Sequence, residues 1–329
     1  MSVSNRIYLT FNYPGAVSGS KTLLTGIRGI GDILYISGFY ELPDAGGTIS
    51  FVYKGDITGR TGPCSENSWN TLDYPSNPGH TMKATNLYGP DILSRNNIRV
   101  VGNYTTEEAG AQSFGCMYEG SLDGSGKWIT LTPTEDTENT IAHSNMGDLV
   151  VGNYQTRNQQ VQLEGKAFIY DVKTEKYYEI RKLRAKSITA YGIWHNKGSW
   201  YTICGGFSDL DPLSGIGAAY LVDWDNKTHR LSNWREYQYK NNDKLSIVTH
   251  FDGITADECY GYNLVGDTVV GENNIGFFAN INRHRAVWEE ILYPGADATS
   301  GNSVYKKIVI GVYPSDDNST INGYLSLVV

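Results

Sequence analysis

Val150-Val151-Gly152-Asn153-Tyr154 sets a glycine between a β-branched pair and an aromatic residue, and the chain repeats this outline six times. The other copies are Ile36-Ser37-Gly38-Phe39-Tyr40, Val100-Val101-Gly102-Asn103-Tyr104, Ile203-Cys204-Gly205-Gly206-Phe207, Val265-Gly266-Asp267 and Ile310-Gly311-Val312-Tyr313. Consecutive key glycines are 64, 50, 53, 61 and 45 residues apart. That period suits a propeller blade and is too long for the common helical solenoids.

Outward from this strand, each unit carries an aromatic at the head of another: Tyr8, Trp69, Trp128, Tyr177, Trp234 and Trp288. Alternating side chains follow, as in Trp128-Ile129-Thr130-Leu131-Thr132, the mark of a half-buried strand. Large aromatics on such a surface are expected to wedge between blades rather than to carry chemistry. Polar links follow, several begun by Tyr-Pro at Tyr13-Pro14, Tyr74-Pro75 and Tyr293-Pro294, where proline ends a ladder by removing a donor. Third strands are expected at residues 48–53, 113–118, 166–170, 218–222, 275–280 and 324–329.

Four strands repeated six times describe an all-β chain folded as one six-bladed β-propeller over residues 1–329. The units fall at approximately 14–74, 75–133, 134–183, 184–239, 240–293 and 294–329, with 6–13 added to the last. The spare strand at 6–13 is expected to complete the final blade as its outer strand and so to clasp the ring.

The 37 glycines and 24 tyrosines of the 329 residues agree with strands and turns. A formal net charge of -8 argues against nucleic acid, whose binders cluster Lys and Arg to release counterions. No apolar run is long enough for a membrane span. The opening Met1-Ser2-Val3-Ser4-Asn5-Arg6 lacks the pattern of a secretion signal. Cys64, Cys116, Cys204 and Cys259 form no CxxC, so zinc-ribbon and thioredoxin readings fail and buried thiols acting as small apolar residues are expected.

The run Gly147 to Tyr154 with Gly165-Lys166-Ala167-Phe168-Ile169-Tyr170-Asp171 resembles the HAF repeat of bacterial, often extracellular, propeller-like proteins. The resemblance implies a repeated β architecture, leaves the compartment open with secretion as one option, and brings no catalytic residues. Units four and five depart from it at Gly205-Gly206-Phe207 and Gly266-Asp267-Thr268, where the Asn-Tyr pair is missing.

In a propeller the residues that begin the innermost strands ring the axial opening. In register these are Thr25, Tyr88, His143, Tyr191, His250 and, in the last unit, Ser303 or Tyr305. The loops between second and third strands share that face and are acidic, with Glu41, Asp44, Glu107, Glu108, Asp209, Asp211, Asp267, Glu272, Asp316 and Asp317; Arg28, Arg95, Lys197, Lys306 and Lys307 fall on the opposite turns. A funnel of that polarity draws cations and repels anions.

The leading expectation is a small-molecule or glycan-like ligand held by Tyr88, His143, Tyr191 and His250, with Thr25 and Tyr305 beside them. The alternative is an enzyme, a cyclase, lyase or hydrolase, using His143 or His250 as acid or base, Tyr88 or Tyr191 as partner and Asp252 as orienter. A third reading is a protein-interaction platform, since one scaffold hosts all three. Asp252 with Asp91 is the pair a glycosidase would draw on. Ser144 lacks a GxSxG frame, and neither a P-loop nor an EF-hand loop occurs. The pattern assigns no metal site, names no cofactor and sets no oligomeric state.

Overall fold

The computed structural model describes residues 6–41, 43, 47–56, 68–76, 80–110, 112–157, 165–209, 217–241, 244–270, 273–282 and 285–328. Asp44, Cys64, Asp211, Glu272 and His284 lie outside them. The fold is all-β, with no α-helix among the described residues.

The strands form a β-propeller arrangement of antiparallel sheets, each numbered from its inner strand outward. The second sheet runs Met82–Ile92, Asn97–Thr106, Phe114–Ser121 and Lys127–Leu131. The third runs Thr137–Met146, Leu149–Thr156, Lys166–Asp171 and Lys176–Ile180. In the fourth the inner strand is split into Ala185–Ile188 and Gly192–His195, followed by Trp200–Asp209, Gly217–Asp225 and Arg230–Tyr237. The fifth runs Val248–Ala256, Tyr262–Val270, Asn273–Asn282 and Arg285–Ile291.

Apart from a two-residue ladder of Lys240–Asn241 with Lys244–Leu245, the remaining strands make one eight-stranded sheet. Its first group is Lys21–Ile30, Ile33–Glu41, Ile49–Asp56 and Trp69–Thr71. Its terminal group is Ser300–Tyr305, Ile308–Pro314 and Ile321–Val328, with Arg6–Thr10 paired antiparallel to Ile321–Val328. A single parallel bridge, Lys21 to Ile321, joins the two groups.

The repeated glycine has a steric cause. The inner strands shift register between Leu24 and Gly26, Leu87 and Pro90, Ala142 and Ser144, Phe251 and Gly253, and Gly301 and Ser303, and the fourth is split at the same place. A bulge turns a carbonyl toward the partner strand. A Cβ on Gly38, Gly102, Gly152, Gly205, Gly266 or Gly311 would fall inside contact distance of the carbonyl oxygens of Leu23, Asn86, Ile141, Thr189, His250 and Ser300 respectively. Only glycine fits there.

The aromatic column packs the seams. Trp69 meets Phe11, Tyr13, Phe51 and Tyr53 at 4.8 to 5.5 Å between centroids. Trp288 meets Tyr239, Phe251 and Phe277 in the same way. The Tyr-Pro links gain a role as well: Tyr13, Tyr74 and Tyr293 each stack on the tyrosine after the key glycine, Tyr40, Tyr104 and Tyr313, at 3.8, 3.9 and 3.7 Å. Cys116 and Cys204 are buried and unpaired, whereas Cys259 is exposed.

Candidate functional site

The register shifts, with the break in the fourth inner strand, single out one residue on each inner strand: Thr25, Tyr88, His143, Tyr191, Asp252 and Asn302. Each is followed by glycine or serine. Inner strands touch backbone to backbone there, since a Cβ on Gly26 would lie 2.6 Å from the Gly89 Cα, on Gly89 2.9 Å from the Ser144 Cα, and on Gly253 2.8 Å from the Ser303 Cα.

Two sequence assignments are thereby corrected. The fifth position is Asp252, not His250, which stands two residues earlier opposite Asp267. The sixth is Asn302, not Ser303 or Tyr305. A bulge inserts one residue, so counting along the strand alone loses the register.

The structure gathers Tyr88, His143, Tyr191 and His250 into one band. Ring centroids are 5.0 Å apart for Tyr88–His143, 4.5 Å for His143–Tyr191 and 5.6 Å for Tyr191–His250, and Phe39 extends the band at 6.3 Å from Tyr88. All five are half-buried. Beyond His250 come two carboxylates: its Nε2 lies 3.2 Å from Asp252 Oδ2. Donor atoms of His250, Asp252 and Asp267 fall within 4.8 Å of one another.

Thr25 and Tyr305 do other work. The Thr25 hydroxyl lies 2.6 Å from the Leu87 carbonyl and 3.1 Å from that of Ser37, tying neighbouring inner strands. Asn302 does the same toward the Leu24 carbonyl at 2.7 Å. Tyr305 lies at the far end of its strand, against the cluster of Ile27 and Leu34. Arg28 is there too, only 6% exposed, and not on an open turn as its sequence position suggested. Its Nη2 donates to the Ile193 carbonyl in the fourth sheet at 3.0 Å, so the guanidinium ties the first group to the fourth sheet. Asp91 joins neither carboxylate, because it accepts from the Gly147 and Ile92 amides. Of the other histidines, His80 is exposed beside Glu108, and His195 and His229 stack on Tyr201 and Tyr178.

Burial holds the His143 imidazole at about 3, far below its ordinary value, so it stands neutral. Burial also opposes charge on His250, but the Asp252 carboxylate, by charge and hydrogen bond, and Asp267 outweigh it and push His250 up to about 9. Asp267 is pushed up to about 7 by burial and by the charge of Asp252, against the pull of His250. Burial raises Asp252 as well, opposed by His250. The phenols of Tyr88 and Tyr191 rise to about 12, through burial in both and the Asp252 charge at Tyr191. The band thus offers a neutral imidazole, an imidazolium and two buried acidic groups, of which Asp267 exchanges its proton near neutrality. His250, Asp252 and Asp267 are also the grouping among the described residues that could hold a divalent cation, which would have to displace the proton on His250.

Asp267 was missed as a site residue, and its signal was the broken Asn-Tyr pair. In the third sheet Asn153 at this position accepts from the Ala190 amide of the next sheet at 2.7 Å. Asp267 accepts from the Gly301 amide at 3.0 Å in the same manner. Asparagine would meet that structural need, so the charge is surplus to the framework.

No protein-family model and no curated protein matches the sequence. Among solved structures the chain is similar to the GH93 α-L-arabinofuranosidase of Fusarium graminearum in complex with arabinobiose, at 11% identity and TM-score 0.51 over 92% of each chain. A structure of a Fusarium graminearum α-L-arabinofuranosidase with an iminosugar inhibitor matches at 10% identity and TM-score 0.50 over 99% of this chain and 98% of that one. At such identity the likeness establishes the fold class, a β-propeller, and nothing of the chemistry. No helix of the described residues is long and apolar enough to cross a membrane.

Proposed function

We propose that this protein binds a small carbohydrate at the upper mouth of the central channel of a six-bladed ring. The observation that carries this is the unbroken band Phe39, Tyr88, His143, Tyr191 and His250 ending on Asp252 and Asp267. Aromatic faces suit the apolar face of a sugar, while imidazole and carboxylate groups suit its hydroxyls. The arabinobiose seen with the fungal enzyme of like fold supports that ligand class. The blade count rests on the terminal group and the first group each having four strands and sharing only one bridge.

Isothermal titration against a panel of pentoses, hexoses and their disaccharides tests the reading. At least one sugar is expected to bind, and His143→Ala with His250→Ala is expected to weaken it at least 100-fold. An unchanged affinity in the double variant sinks it.

A second reading, a hydrolase in the same mouth, is favoured by the carboxylate pair. Asp267 near 7 fits a general acid and Asp252 the partner base or nucleophile. One oxygen of each carboxyl lies within 4.8 Å of the other, which favours the short separation of retaining enzymes over the long one of inverting enzymes. In that case Asp267→Asn abolishes turnover and keeps the ligand.

A further inference from the structure

Open space adjoins the band at the seam of the fourth and fifth sheets. A cavity of about 190 Å³ lies between the fourth and fifth sheets, with Thr189, Tyr191, Phe207, Val248, Thr249 and His250 in its wall. Tyr191 and His250 therefore belong to both the channel mouth and this side chamber. The broken repeat explains its origin. Gly206, which also lines it, stands where the second and third sheets carry Asn103 and Asn153, and Asn153 spans its seam to reach the Ala190 amide. Glycine at 206 offers no side chain to bridge the seam at that height, although Thr202 reaches Tyr262 across it elsewhere at 2.8 Å. A Cβ there would lie 2.8 Å from the His250 Cβ, so the glycine also makes room for His250 beside Asp252.

We propose that the ligand is a two-ring glycoside: one sugar ring rests on Tyr88, His143 and Tyr191, the second fills this chamber, and the linkage between them passes His250, Asp252 and Asp267. This rests on reading the channel mouth as a sugar site. The volume suits one ring, since a dry cavity of about 150 Å³ takes a six-carbon ring. Its wall joins the apolar faces of Phe207 and Val248 to the hydroxyls of Thr189 and Thr249, the combination a sugar needs on its two sides.

The test compares, by isothermal titration, each monosaccharide that binds with its disaccharides and its phenyl glycoside. The two-ring disaccharides are expected to bind at least tenfold more tightly. Val248→Trp and, as a second variant, Ser208→Tyr, at another residue of the chamber wall, are expected to remove that gain while monosaccharide affinity stays within twofold. Equal affinity for one-ring and two-ring sugars overturns the proposal, as does a gain that survives in both variants. A gain confined to the phenyl glycoside overturns the sugar assignment of the chamber. If monosaccharides bind and the His143/His250 double variant abolishes it, these failures touch the chamber alone; if no sugar binds, the channel-mouth reading falls and takes this one with it.

Discussion

Two histidines at one mouth are driven in opposite directions, and the cause lies in their neighbours. His143 sits among rings with no carboxylate to charge it, whereas His250 faces Asp252 at 3.2 Å with 30% and 17% of their side chains exposed. Nuclear magnetic resonance of the imidazoles is expected to show His143 neutral down to about 3 and His250 protonated up to about 9. The signs carry over to stability. His143, depressed below its unfolded value, favours the fold above that value and withdraws its contribution as pH falls toward 3. His250, raised, contributes below its unfolded value and loses that contribution as pH rises through 9. Asp267, raised from 3.8 to about 7, contributes at low pH and loses it as pH rises through 7. Asp267→Asn keeps the bond to the Gly301 amide, so its melting temperature is expected to match the wild type near pH 4 and to exceed it by a few degrees at pH 8. A variant less stable than wild type at pH 8 would show the charge to be structural.

At the scale of the strand, the governing unit is a bulge facing a glycine. Gly152→Ala drives a methyl into the Ile141 carbonyl and the Ala142 Cα, in a seam that has no slack. The expected loss is about 3 kcal/mol, as for other overpacked cores, read as a lower denaturant midpoint at unchanged slope. Gly165, whose nearest neighbour to an added Cβ is the Ser187 hydroxyl at 3.1 Å, serves as control and is expected to lose far less as alanine. The glycine column and the aromatic column were legible in the sequence because each answers a local steric demand repeated in every unit. The sequence grouped Tyr88, His143, Tyr191 and His250 as residues that begin inner strands, whereas Tyr88 and His143 stand well inside theirs, Met82–Ile92 and Thr137–Met146. The offset of His250 from Asp252, and the place of Asn302 rather than Tyr305, were not legible, because a bulge leaves no mark of its own in the order of residues. Gly206 was visible only as a fault in the repeat, and Asp267 as a fault and as one of many acidic residues expected on the face of the opening. A fault reads as misregistration until the next sheet is seen to need its acceptor from Asn153 and to find one in Asp267.

For the whole molecule the question is what keeps the sheets about one axis. Arg28 supplies a tie from the first group to the Ile193 carbonyl of the fourth sheet. Arg6–Thr10 supplies one at the rim, pairing with Ile321–Val328 from Arg6 opposite Val328 to Thr10 opposite Tyr324. Arg6 then reaches past its own sheet: its Nε lies 2.5 Å from Glu289 Oε1 in the fifth sheet, its side chain is 3% exposed, and the guanidinium lies 4.9 Å from the Phe278 ring. Thr10 meets the hydroxyls of Tyr293 and Tyr313 at 2.7 and 2.8 Å. If this strand is the clasp of a closed ring, removing it opens a seam along the whole height of the molecule and not merely an edge. Arg6→Ala removes the guanidinium that donates to Glu289 and packs on Phe278 and is expected to cost about 2 kcal/mol, a drop on the order of 4 °C in a chain of this length. Deletion of residues 1–13 also removes Phe11 from the Trp69 cluster and is expected to cost more, lowering the single unfolding transition of the entire protein rather than adding an early one. Calorimetry separates the cases: a deletion variant with unchanged melting temperature shows that the strand is ornament, and a separate low-temperature transition shows that the terminal sheet frays by itself while the remaining sheets hold.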